Sequence, residues 1–408
     1  MTTSDTGWIT AAAAVRALNV SRPTLYAYVS RGMLRSTPKP GATRERLYSR
    51  DDVERLRRRA EERRDPKSVA AHALDRGTPL LESAITLIDS GRLYYRGYDA
   101  VELARTRSVA EVASLIWTRA FDTISAERLV APAGRVLPAG DLPFLAHAQA
   151  TLAVAATRDP LAFDLRADAV ASTGRRILAL MTRAATGRKA DDATIDEQLA
   201  STWRVKRHDV DIIRAALILC ADHELNVSAF TARCVASAGA TPYAAVIAGI
   251  SALEGIRHGG LTVRVESMLE SMRGARTGEA ALADWLRQGL EISGFGHPLY
   301  RAGDPRAIEL FARLQARHAR SAELKFALDV AGAATKMLNE HPSLDFALAT
   351  VTRVLGLPRG AGLTLFAIGR TIGWVGHAIE QYATGQLIRP RARYVGESPL
   401  SSSRPLSS

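Results

Sequence analysis

The sequence predicts a mainly α-helical protein: one large helical body behind a small module of helices and a hairpin. Three observations carry this reading. From about residue 80 to residue 388, long Ala/Leu-rich stretches repeat their apolar residues at helical spacing. Convincing strand alternation is confined to residues 84–95, in ITLID and RLYYRGY. Residues 1–66 differ from the rest in charge and in the spacing of their turn residues. At 408 residues and 47% hydrophobic content, the chain is long enough and apolar enough to fill a sizeable core.

The front module reads as helix, turn, helix, hairpin, helix. Residues 10–18 are an apolar-periodic helix, and Asn19-Val20 is a tight turn. A second helix starts at Ser21, whose hydroxyl is placed to cap it; Pro23 is tolerated in its first turn and Gly32 is placed to end it. Residues 33–48, interrupted by Pro38, Pro40 and Gly41, supply two short β-capable pieces, and residues 51–64 a charged helix. That order is a winged helix-turn-helix plan. The net charge is +12, and residues 1–66 hold fourteen Arg/Lys against eight Asp/Glu, half of the excess in about a sixth of the chain. Such a concentration suits a phosphate-facing surface, although a solvated charged helix has the same composition.

This stretch, WITAAAAVRALNVSRPTLYAYVSRGMLRSTPKPGATRERLYSRDDVERL, resembles the N-terminal DNA-binding part of MerR-type regulators. The resemblance implies that the helix from Ser21 enters a major groove of duplex DNA. Arg22, Thr24 and Tyr28 would face the DNA, with Arg44 or Arg46 on the wing, contacting mainly phosphates. Modules of this size also serve as protein-docking or dimerisation elements, so docking stands as the alternative.

Residues 67–80 read as a linker, 81–397 as the helical body and the Ser-rich 398–408 as a disordered tail. The only cysteines, Cys220 and Cys234, sit in apolar helical stretches, which points away from a disulfide framework. The first residues lack a cationic start with an apolar core, and no run is long and apolar enough to span a membrane. A cytoplasmic, membrane-free protein is expected.

Four of the nine histidines draw notice: His223, His258 and His297 beside glycine or helix boundaries, and His377 in mid-helix after Trp374. A histidine beside glycine meets whatever approaches the backbone, though lone histidines also serve as structural hydrogen-bonding residues. No His-Glu-x-x-His or Cys-x-x-Cys pattern occurs, so no metal is expected. Gly294-Phe295-Gly296 lacks the third glycine and the strand-to-helix context of a dinucleotide turn. What accumulates is an acid/base set, His258, His297 and the isolated Asp345 of PSLDF, with Arg306, Arg370 and Arg389 at element ends or beside small residues. Converging guanidiniums match a small polycarboxylate. A lone carboxylate between apolar neighbours has its pKa raised toward the working range for taking a proton from carbon, but a buried capping aspartate reads the same.

The segments ITLIDSGRLYYRGYDAVELA, SVAEVASLIW, ADHELNVSAFTAR, GIRHGG, SGFGHPLYRAGDPRA, LDFALATVTRVLGLP, FAIGRTIGWVGHAIEQ and LIRPRARYVG, collinear over residues 83–396, resemble citrate synthases. The resemblance implies large and small helical domains, a homodimer with sites near the subunit interface, and no permanently bound cofactor or metal, acyl-CoA being a co-substrate. His258 would hydrogen-bond the thioester oxygen of acetyl-CoA while Asp345 removes a methyl proton. His297 would polarise the ketone of oxaloacetate, and water would hydrolyse the resulting thioester. His223, Arg306, Arg370 and Arg389 of the partner subunit would hold carboxylates, Arg301 a coenzyme A phosphate, and the loop through Gly294 and Gly296 the adenine.

Three departures stand out. Family members usually continue from the first catalytic histidine with Gly-x-Ala-Asn, whereas here Gly259-Gly260-Leu261-Thr262 follows; Glu254 and Arg257 are also atypical. Residues 121–187 match poorly. A citrate synthase is the leading expectation. A 2-methylcitrate synthase using propionyl-CoA, a DNA-binding regulator with an enzyme-like sensor for a tricarboxylate or acyl-CoA, and an enzyme whose front module only docks a partner are the alternatives.

Overall fold

Thr10 and Asn19 bound the first helix. The Thr10 hydroxyl accepts the Ala13 N–H, and Asn19 closes the other end in the left-handed region at φ 50°. These residues belong to a computed structural model that describes residues 7–30, 34–39, 45–54, 56, 81–122, 142–188, 193–390 and 394–396. The chain divides into two units, Met1–Glu82 with Arg389–Ser408, and Ser83–Ile388.

The first unit contains β1 (Trp8–Thr10), α1 (Ala11–Leu18), α2 (Arg22–Ser30), β2 (Ser36–Pro38) and β3 (Arg46–Ser49). Ser21 accepts the Thr24 N–H, as a capping residue does. Ala14, Leu18, Leu25, Leu34, Tyr48, Val53 and Leu56 form a small core of their own. The sequence places Thr10 in the first helix and expects no strand before it. The structure instead pairs Trp8–Thr10 antiparallel with β3, which also pairs with β2. Three residues are too few to show alternation, and only their partner makes them a strand. Gly32, Arg44, residues 57–80 and residues 397–408 lie outside the described residues.

The second unit opens with the expected hairpin, β4 (Thr86–Asp89) and β5 (Arg92–Tyr95), plus a third short strand, β6 (Tyr98–Asp99). Ser90 and Gly91 both have positive φ, the backbone of a two-residue turn whose twist matches the strands. Helices follow: α3 (Ala100–Thr106), α4 (Val109–Thr118), α5 (Phe144–Ala156), α6 (Ala167–Thr186), α7 (Ile195–Thr202), α8 (Val210–Leu219), α9 (Val227–Ser237), α10 (Pro242–Leu253), α11 (Gly260–Ser271), α12 (Gly278–Arg287), α13 (Pro305–His318), α14 (Ala322–Leu338), α15 (Leu344–Val354) and α16 (Ala361–Thr384).

Helix α16 is the axis of this unit. It is buried over most of its length and packs against α4, α6, α8, α9, α10 and α15. Buried around most of its circumference, it is an interior helix. Its glycines set how closely the chain after α8 approaches. A Cβ at Gly369 would lie 2.4 Å from the Leu217 carbonyl oxygen, and one at Gly373 2.4 Å from that of Ala221. The Gly373 N–H donates to Ala221 O at 2.9 Å, and this contact seats Cys220, Asp222 and His223 against the axis.

Candidate active site

His223 follows α8 and is buried. Its Nε2 hydrogen-bonds the Tyr300 hydroxyl at 3.0 Å, and its ring stands edge-on to His297 at 5.1 Å. Burial, with Arg306 and Arg370 adding repulsion, holds the His223 imidazole well below its ordinary pKa.

His297 lies in the loop before α13. Gly294 and Gly296, at φ 85° and 71°, let this loop turn beside residues 341–343: Gly296 N–H donates to His341 O, and Ser343 N–H to Gly294 O, both at 2.8 Å. The loop is thereby tied to the residues that open α15, and so to Asp345. Leu299 N–H donates to His297 Nδ1 at 3.2 Å, which leaves the ring proton on Nε2. Burial first, then Arg306, lowers the pKa of His297, while Asp304 opposes them. The ring is therefore a neutral donor near pH 7.

His258 sits in the turn before α11. Its Nε2 meets Ser228 Oγ at 2.8 Å, and Ser228 also accepts the Trp374 indole N–H at 3.1 Å and donates to Asn226 Oδ1. Desolvation, with Arg370 adding to it, brings His258 down to about 4. Asp345, in the first turn of α15, behaves oppositely. Burial raises its carboxyl to about 6, against the lowering effect of the Thr262 hydroxyl, which donates to Oδ1 at 2.6 Å, and of Arg306.

Arg306, the second residue of α13, spends Nε and Nη2 on Asp304 at 2.9 and 2.7 Å and lies 5.5 Å from the Tyr300 ring. Asp304 also accepts the Leu344 N–H at 3.0 Å, which joins the starts of α13 and α15. Although burial raises Asp304, Arg306 holds it below the usual carboxylate range. Arg370, on α16, is buried, donates Nε to Cys220 O at 2.7 Å and lies over the Phe366 ring at 4.8 Å.

The structure thus links His223 to His297, Arg306 and Arg370, His258 to Arg370, His297 and Asp345 to Arg306, and the two arginines to each other by electrostatic interaction. Arg301 is exposed. Arg389 is exposed too and groups with the first unit rather than with these residues. Sequence reasoning missed Ser228, Thr262, Tyr300, Asp304 and Trp374. Thr262 and Tyr300 follow His258 and His297 by four and three residues, and that closeness in sequence is the one signal that marks them. No group of His, Cys, Asp and Glu that could hold a metal occurs among the described residues, and none of their helices is long and apolar enough to cross a membrane.

In the front module Arg22 is exposed, the Thr24 hydroxyl meets Ser21 Oγ at 2.9 Å, and Arg46 Nε donates to Ser36 Oγ at 2.9 Å across β2 and β3. Tyr28 is half-buried against the module's core, because a residue three positions after Leu25 shares its helix face. Arg44 lies outside the described residues.

A buried carboxyl held near 6, imidazoles held below their ordinary pKa and buried guanidiniums, in an almost wholly helical unit, make a site equipped for acid/base chemistry. The family model of the citrate synthase C-terminal domain matches residues 73–391, and that of the MerR helix-turn-helix regulatory proteins matches residues 9–61. The chain belongs to the citrate synthase family.

The chain is 30% identical over 362 residues to a citrate synthase of Haloferax volcanii, covering 79% of this chain and 95% of that protein. It is 28% identical over 347 residues to 2-methylcitrate synthase 1 of Corynebacterium glutamicum, covering 76% and 90%. The crystal structure of citrate synthase from Thermotoga maritima aligns with TM-score 0.66 at 26% identity, over 80% of this chain and 96% of that one. The Thermoplasma acidophilum citrate synthase, determined with carboxymethyl coenzyme A and oxaloacetate, shares the fold with TM-score 0.69 at 22% identity, over 80% and 97%.

Proposed function

We propose that the second unit condenses an acyl-CoA with oxaloacetate. The observation that carries this reading is Asp345, a buried carboxyl poised at about 6, with the Thr262 hydroxyl on one oxygen and Arg306 acting on it electrostatically. An ordinary aspartate is too weak a base to take a proton from a thioester methyl group, and raising its pKa narrows that gap. Asp345 takes the proton as the electron pair moves onto the thioester oxygen, which His258 meets with a hydrogen bond from Nδ1 once the Ser228 hydroxyl turns its proton from Asn226 to Nε2. The carbon of the enolised thioester attacks the oxaloacetate ketone, whose oxygen His297 Nε2 polarises with a hydrogen bond as the alkoxide develops; the alkoxide takes up a proton from water, and Asp345 returns its proton to solvent. Water then cleaves the thioester, releasing coenzyme A and the tricarboxylate.

His223 and Arg370 hold carboxylates in this reading, as does Arg306 through whichever donors Asp304 leaves open. Arg389 of the partner subunit would complete the set in a homodimer, while Arg301 and the loop at Gly294 and Gly296 receive coenzyme A. No metal or permanently bound cofactor enters the scheme. The relatives include both citrate and 2-methylcitrate synthases, and one methylene shifts preference by only about 1–3 kcal/mol. The deciding measurement is coenzyme A release from oxaloacetate with acetyl-CoA and with propionyl-CoA. The ratio of the two chooses the acyl group, and no release with either, from folded protein, points to a sensor.

For residues 1–66 the reading is duplex-DNA binding, supported by the MerR match and the basic excess. It predicts gel-shift retardation that weakens steeply with salt and disappears when residues 1–66 are deleted. No retardation at low salt removes it and favours a docking module.

A further inference from the structure

Helix α11 carries, in its first turn, a residue that no catalytic motif calls for. Thr262 is fully buried and stands four positions after His258. A threonine inside a helix commonly gives its hydroxyl proton to the carbonyl one turn back, as Thr350 and Thr352 do in α15. Thr262 instead reaches across 83 positions of sequence to Asp345 Oδ1 at 2.6 Å. Its methyl group is confined on the other side, where a Cβ at Gly362 of α16 would lie only 2.9 Å from Thr262 Cγ2. The missing side chain at 362 makes room for the threonine, and that close packing fixes its rotamer.

We propose that Thr262 is a positioning residue for proton abstraction: its hydroxyl ties Oδ1 of Asp345, turns Oδ2 toward the substrate methyl group and favours the ionised carboxylate. This rests on the condensation reading above. The ionisable groups that act on Asp345 are Arg306 and Asp304 at the start of α13 and Cys220 after α8; the other elements packed against α15 carry Glu266 on α11, one turn beyond Thr262, and Arg370 on α16. Glu323 of α14 is tied to Arg273 and Arg353, toward the far end of α15. None of these donates a side-chain hydrogen bond to the carboxylate, so the threonine acts on it in a way they do not.

The sign of the effect follows. A donor to the ionised form lowers the carboxyl pKa, so removing it raises the value further. In the Thr262→Val variant, the acid limb of kcat against pH should move up by about one unit. Near pH 6 kcat should fall roughly fivefold, while near pH 8.5 it stays within about twofold and the KM for oxaloacetate is unchanged. Thr262→Ser keeps the hydroxyl and should restore the wild-type profile. In parallel, carboxyl-carbon NMR titration of the full chain, with Asp345 assigned through Asp345→Asn, should show the same upward shift in Thr262→Val. An unmoved titration, or an activity loss equal at every pH that follows a lowered Tm, overturns the proposal. If wild-type protein releases no coenzyme A, the condensation reading fails alone, and the NMR midpoint still decides whether Thr262 governs Asp345.

Discussion

His258 and His297 are both held below the ordinary histidine pKa, yet the molecule holds them by different means. His258 is fixed through side chains, Ser228 and behind it Trp374, each reaching in from a different helix. His297 is fixed through the backbone: the Leu299 N–H on its Nδ1, and a loop whose two glycines allow it to hydrogen-bond to residues 341–343. A side-chain mount is loosened by one atom; a backbone mount fails only when the chain itself is displaced. The difference teaches where each half of the site is vulnerable.

In the proposed condensation Asp345 works with both histidines, so its loss should erase the contrast. Asp345→Ala is expected to lower coenzyme A release by more than about a thousandfold while calorimetry finds oxaloacetate binding largely intact. Full activity would remove it from the mechanism. The backbone-mounted half should break next. Gly294→Ala places a Cβ 2.6 Å from Val265 Cγ2 at φ 85°, and displacement of the loop should cost roughly a hundredfold in kcat together with a measurable fall in Tm.

The side-chain mount is the milder case. Ser228→Ala removes one hydrogen bond to His258, worth about 1 kcal/mol, and should lower kcat roughly five- to tenfold with Tm nearly unchanged. If Ser228→Ala proves the more damaging of the two, the contrast between the mounts is wrong. Smallest is the effect of pH. Because Asp345 must be ionised and its pKa is raised to about 6, kcat should rise with unit slope up to that value and level off above it. His258, already neutral above about 4, adds no second limb in that window.

Much of this arrangement is legible in the sequence, and the reason is local. The histidines and Asp345 occupy short segments with glycine or apolar neighbours, and the hairpin at residues 84–95 announces itself by alternation. What stays hidden is carried by contacts distant in sequence. Nothing near Trp374 shows that its indole supports Ser228 across 146 positions, nor anything near Asp304 that it joins two helix starts. Arg306 shows the reverse difficulty: its position suggests a free guanidinium, whereas two of its donors already serve Asp304. In the front module, β1 exists only through its pairing with β3, so no pattern within it could have revealed the strand.

The Gly373 amide, inside an interior helix, also serves the chain at Ala221, two residues before His223. Its hydrogen can exchange with solvent only when that junction parts. The exchange rate at this one position is therefore a clock for the site itself. A rate matching global unfolding would mean that no partly opened state lacking the His223 seat is populated, and a faster one would measure how often the enzyme comes apart at its centre while the rest stays folded.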